Sequence, residues 1–74
     1  MSVHKLDVKW IQEQMNRLPI QYKQKAREGY ERTWQEAYDL EPVEYKKAGA
    51  ARRAANIRLR RFVEKVVALS NQIN

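Results

Sequence analysis

The chain has 74 residues, no cysteine, a single histidine and a formal charge of +6. A polypeptide this short makes one domain at most and hides only roughly 60% of the surface its unfolded form exposes, so its core depends on very regular helix packing or on association. Without cysteine, disulfides and zinc–thiolate centres are excluded, and no D-x-D-x-D-G calcium loop occurs in the sequence.

The first predicted element is a short helix over about residues 7–17. Asp7 stands where an N-cap would, and Leu6, Trp10, Ile11 and Met15 fall at helical spacing, with Leu18 following. Pro19 ends it, because the residue before a proline avoids helical backbone angles.

The second helix is predicted over about 20–40. Proline suits a first helical turn, where its missing N–H had no partner anyway. Tyr22, Ala26, Tyr30, Thr33, Trp34 and Ala37 share one face. Gly29 costs about 1 kcal/mol against alanine in a helix interior, which marks it as a point of close packing.

The third helix is predicted over about 43–70, following Pro42, with Asn71–Asn74 as a frayed end. Ala48, Ala51, Ala55, Leu59, Phe62, Val66, Leu69 and Ile73 form its apolar stripe, with heptad steps from Ala55 onward. Gly49 is the point at which this helix is weakest. A short connection at Leu40–Val43 makes helices two and three an antiparallel hairpin. Counting outward from that turn sets Trp34 level with Ala48, and Tyr30 level with Arg52. Bulky aromatics then face an alanine-rich partner, a pairing that leaves no void. The expected fold is an all-α, three-helix single domain over residues 1–74, with the hairpin as its core.

The third helix is longer than the second, so its distal half needs cover. Trp10, Ile11 and Met15 of the first helix can supply part of it. The flank carrying Val63 and Val67, with Phe62 and Val66 beside it, is then the expected homo-oligomer interface, for a dimer or higher species.

The charges are segregated. Residues 1–27 carry +4, residues 28–44 carry −5 and residues 45–74 carry +7. In an antiparallel hairpin the acidic and basic stretches lie side by side, so Glu28, Glu31 and Glu36 can neutralise part of the third helix as solvated ion pairs. They do not account for all of it. By helical phase Lys46, Arg53 and Arg60 point away from Phe62 and form one ridge, while Lys47, Arg58, Arg61 and Lys65 form a second. Such ridges suit a phosphate backbone, an acidic protein surface or plain solvation. The candidate nucleic-acid-binding residues are Lys46, Arg53, Arg58, Arg60, Arg61 and Lys65. Tyr38 and Tyr45, which flank the turn, are the aromatics expected near solvent. Asn56 is the one amide placed among the arginines for reading bases.

Catalytic machinery is not in view. Ser2 and Ser70 are near the ends of the sequence, His4 has no nucleophile beside it, and the two glycines do not build a phosphate-binding loop. No enzyme activity, metal, cofactor or small-molecule substrate is expected. The longest apolar run, Val66–Leu69, is too short to span a bilayer, and the apolar face of the third helix is needed for the core, so no membrane partner is expected. The first residues lack the apolar stretch of a signal peptide, making a cytoplasmic location the default.

Glu41-Pro42-Val43-Glu44, then Gly49-Ala50-Ala51-Arg52-Arg53-Ala54-Ala55-Asn56 and Leu59-Arg60-Arg61-Phe62-Val63, follow an aromatic helix with Tyr30, Trp34 and Tyr38. Over residues 18–66 this texture resembles small helical proteins of enterobacterial lambda-like phages and prophages. The resemblance implies a role near phage replication, recombination or regulation and assigns no role to individual residues. The expected function is a non-enzymatic accessory protein that contacts nucleic acid or a nucleoprotein complex through its basic C-terminal helix. The alternative is a protein–protein assembly module, a helical homo-oligomer without nucleic-acid contact.

Overall fold

The computed structural model describes the backbone of residues 5–73 and the side chains of residues 7–71. His4, Asn74 and the side chains of Leu6 and Ile73, all used in the sequence reading, lie outside the described residues. Three α-helices follow in order: α1 (Lys5–Asn16), α2 (Ile20–Leu40) and α3 (Lys47–Ile73), with a single 3-10 turn at Glu44–Lys46 leading into α3. The described residues contain no strand. The expected all-α hairpin is therefore the observed architecture, elongated to 47 × 22 × 15 Å.

Helix boundaries follow local chemistry. The end of α1 tightens, with the Arg17 N–H donating to the Gln14 carbonyl and the Leu18 N–H to the Met15 carbonyl, both at 3.1 Å. Pro19 occupies the N-cap position of α2 with extended backbone angles and supplies no side-chain cap. Asp7 is not an N-cap; it sits within the first turn of α1, where a carboxylate favours the positive end of the helix dipole. The helix α3 runs unbroken through Gly49 and on to Ile73, past the expected frayed segment at residue 71.

At the hairpin turn, Lys47 does more than add charge. Its ammonium donates to the carbonyl of Glu41 at 2.6 Å and of Tyr38 at 3.2 Å. These acceptors lie at the C-terminal end of α2, where carbonyls have lost their helical partners and a cation is favoured. The same ammonium sits 5.4 Å from the centre of the Tyr38 ring, which stacks on Trp34 at 5.2 Å. Tyr38 is thereby half-buried and not at the surface as expected, whereas Tyr45 is 84% exposed.

The core is one cluster: Met15, Leu18, Ala26, Tyr30, Trp34, Ala51, Ala55, Leu59, Val63 and Val66. Ala51, Ala55 and Val63 have no exposed surface. The packing face of α3 is thus rotated from the expected stripe. Steps of four residues from Ala51 to Val63 turn it toward α1, leaving Ala48 exposed, Phe62 half-buried and Leu69 50% exposed. The register between α2 and α3 also differs by about one turn. Tyr30 reaches Asn56, not Arg52, because the connection consumes residues 41–46 and not only the four expected.

Helix α2 packs along α3 far more extensively than α1 does. Between α1 and α2 lies a cleft of about 300 Å³, walled by Val8, Ile11, Met15, Ala26, Tyr30 and Leu59. No helix among the described residues is long and apolar enough to cross a membrane.

The expected interface residues Val63 and Val66 are interior side chains of the single chain, and Val67 and Phe62 pack half-buried against the same core. In the single chain they do not form an exposed flank, because they belong to or pack on the one cluster that all three helices share. Gly29 is buried, and a Cβ there would lie 3.1 Å from Arg58 Nε. At Gly49 a Cβ would meet nothing within 4 Å. Replacing Gly49 with Ala should therefore raise stability by about 0.5–1 kcal/mol, the helix-propensity gain without a clash. Leu59→Ala should lower it by about 2–5 kcal/mol. Urea denaturation followed by circular dichroism measures both, and a destabilising Gly49→Ala would show that α3 does not pass through this residue as a helix.

Candidate nucleic-acid interface

Because α1 and α2 both pack on the Ala51–Val66 side of α3, the opposite side of that helix faces outward. Lys46, Arg53, Arg58, Arg60, Arg61 and Lys65 are all exposed. Among the described residues the only ion pair is between Asp7 and Arg52, at 2.5 Å. The acidic stretch of α2 therefore does not neutralise α3. Glu28 instead accepts from Gln24 at 2.9 Å, and Asp39 from Gln35 at 3.0 Å, both along the same helix. The turn and the register shift carry the carboxylates out of reach of the arginines they were expected to meet.

Three cations are engaged in other ways, the first being Lys46, whose ammonium lies 5.8 Å from the centre of the exposed Tyr45 ring. The Arg60 guanidinium lies 5.7 Å from the centre of the Trp10 ring, an arrangement that leaves its charge available while fixing its direction. It thus leans toward α1 and does not point straight away from the core. Lys47 caps α2 and leaves the second ridge. What stands along the outer side is a row of Lys46, Arg53 and Arg60, and a row of Arg58, Arg61 and Lys65. At 100° per residue the two are roughly 120° apart around the helix axis. Depressions lie on each side of Ile57: one lined by Arg53 and Arg60, the other by Arg58, Arg61 and Lys65.

At the junction of the three helices is a polar cluster. Asp7 is buried and pairs with the half-exposed Arg52. The Tyr30 hydroxyl donates to Asn56 Oδ1 at 2.7 Å. Burial, with the Asp7 carboxylate adding to it and Arg52 opposing, raises the Tyr30 pKa above its ordinary 10.0. Asn56 is thereby half-buried with its oxygen engaged, at the edge of the depression lined by Arg53 and Arg60, and so less available than expected. Asp7 and Ile57 were not singled out as site residues. The helical phase centred on Leu59 carries the signal for Ile57, which falls opposite the core; Asp7 carries no local signal, since its partner lies on another helix.

Comparisons with protein-family models, with curated proteins and with solved structures find no match for this chain.

The polar cluster sets a pH dependence. A folded-state pKa above the unfolded value means that the neutral phenol is favoured in the folded state, so its contribution is fully present below pH 10.0 and is lost as pH rises through the higher folded value. The Tyr30→Phe variant should lose about 1 kcal/mol at neutral pH through the missing hydrogen bond, and its stability deficit should shrink above pH 10.0. Denaturation midpoints of both proteins across the alkaline range check this; a deficit that widens with pH would contradict it.

Proposed function

We propose that this chain is a small non-enzymatic accessory protein that contacts nucleic acid, or a nucleoprotein complex, through the outward side of α3. The phage-type setting belongs to the same proposal and rests on the sequence texture alone. The observation that carries the reading is the pair of cationic rows whose six side chains are exposed and without carboxylate partners among the described residues. Neutralised cations would offer a phosphate backbone little, because affinity comes from displacing condensed counterions, one for each contact made. Here Arg53, Arg58, Arg60, Arg61 and Lys65 remain available along a few turns of one rigid helix.

The assembly alternative loses its original surface, since Val63 and Val66 are interior. The partly exposed Ile57 does not restore it, because arginines surround it and two copies meeting there would bring like charges together.

Fluorescence anisotropy with a labelled nucleic acid at a series of salt concentrations tests the reading. Binding should weaken steeply with salt, with log K falling by about 0.9 per phosphate contact on duplex. Arg53→Ala combined with Arg61→Ala should flatten that slope by about two contacts. Absence of binding at low salt, or a slope unaltered in the double variant, would rule it out.

A further inference from the structure

Given the nucleic-acid reading above, on which this inference rests, we infer that the partner is B-form duplex DNA, with α3 lying in its major groove, and not a single strand or an RNA duplex.

Three observations lead there. The first is the cross-section of the outward side. Between the two cationic rows the surface is low: Ala50 and Ala54 are half-buried, and Ile57 at the apex is 42% exposed. Over residues 50–57 the apex carries short side chains with long cations beside them, and past Ile57 it carries Arg61 and the carboxylate Glu64; the first part matches a groove whose floor is base edges and whose walls are phosphates. The major groove of B-form DNA is about 12 Å wide and admits a helix, and a helix with its side chains measures about 10–12 Å across. The flanking rows then reach the phosphates of opposite strands, and Ile57 meets the floor, where a thymine methyl offers apolar contact. The cationic stretch from Arg53 to Lys65 rises about 18 Å, half of the roughly 34 Å helical repeat of the duplex. A straight helix follows a curving groove over about that distance.

The second observation concerns aromatics. A single strand is held by stacking bases on exposed rings. Tyr30 and Trp34 are buried, and Tyr38 is stacked on Trp34. Trp10 lies under Arg60, and Phe62 packs edge-to-face with Tyr22 at 6.3 Å. The exposed Tyr45 is at the hairpin turn, outside the Arg53–Lys65 stretch, with the Lys46 ammonium over its ring. The one ring bordering the cationic rows is Phe62, half-buried at the side of the depression lined by Arg58, Arg61 and Lys65, so the outward side of α3 offers no row of rings for successive bases.

The third is what the side chains cannot do. The Oδ1 of Asn56 is committed to Tyr30, so this amide is not free to pair with adenine through both its oxygen and its nitrogen. Arginine, lysine and isoleucine remain, with the single exposed carboxylate Glu64 at the distal end of the face, which makes binding strong in phosphate contact and weak in sequence choice. An A-form RNA duplex offers a narrow, deep major groove that excludes a helix, so shape separates DNA from RNA even though the charge on the two is alike.

The experiment uses the full chain and three labelled probes at one salt concentration: a mixed-sequence DNA duplex, one of its strands, and the RNA duplex of the same sequence. The DNA duplex should bind about tenfold or more tighter than either other probe. Ile57→Glu, which sets a carboxylate against the groove floor, should weaken duplex binding about tenfold while circular dichroism stays unchanged. Equal binding to all three, a preference for strand or RNA, or full duplex affinity in Ile57→Glu would overturn the groove assignment and leave phosphate contact standing. No binding to any probe would overturn both.

Discussion

The molecule depends on how closely α2 and α3 can approach. Ala51 and Ala55 are wholly buried in the same cluster as Tyr30 and Trp34, so large rings meet small side chains with no room left between them. A short chain has few other resources. With no disulfide to restrain the unfolded state, stability comes from packing density in this seam. Lys47 then closes the hairpin at its open end by serving the free carbonyls of α2. Everything on the far side of α3 follows, because a helix held on one side by two others must present its opposite side to solvent.

The cations of α3 have divided duties. Lys47 is structural. Arg52 binds the buried carboxylate of Asp7, and Arg60 lies against Trp10, so both help to dock α1. Arg58 lies over the buried Gly29 of α2, and Arg53, Arg61 and Lys65 have no such employment among the described residues. That division explains why a chain with segregated charge does not simply cancel it. Individual cations are used one at a time where a specific acceptor or ring requires them, and the remainder accumulate on the outward side.

Helix number, order and approximate limits were legible because each rests on local chemistry: Pro19 as the start of α2, the aromatic face of α2, and the small residues of α3; Pro42 lies in the connection, and α3 starts only at Lys47. The details that failed are those set by distance in sequence. The register slipped because a 3-10 turn at Glu44–Lys46 took up residues assigned to α3. The stripe of α3 rotated because two partners, not one, share it; Val63 is interior for that reason, and the expected association surface disappeared with it. Asp7 was legible as a helix-start residue but not as the partner of Arg52, 45 positions away in the numbering. Within the candidate site, exposure of the arginines followed from helical phase. Their lack of carboxylate partners did not, since it depends on where α2 sets its acidic residues.

The cleft between α1 and α2 has a further meaning for motion. Helix α1 is fastened by Met15 and Leu18 at one end, by Trp10 and Ile11 along its middle and by the Asp7–Arg52 pair at the other, with an open wall toward α2. A segment attached in this way opens as a unit of its own, before the hairpin does. Its amide hydrogens exchange through that partial opening, while those of the seam wait for global unfolding. Because one fastening is a partly solvated charge pair, added salt loosens it. Ionic strength therefore acts on this molecule internally as well as on whatever it touches, setting how often α1 lifts away and bares the apolar wall behind it.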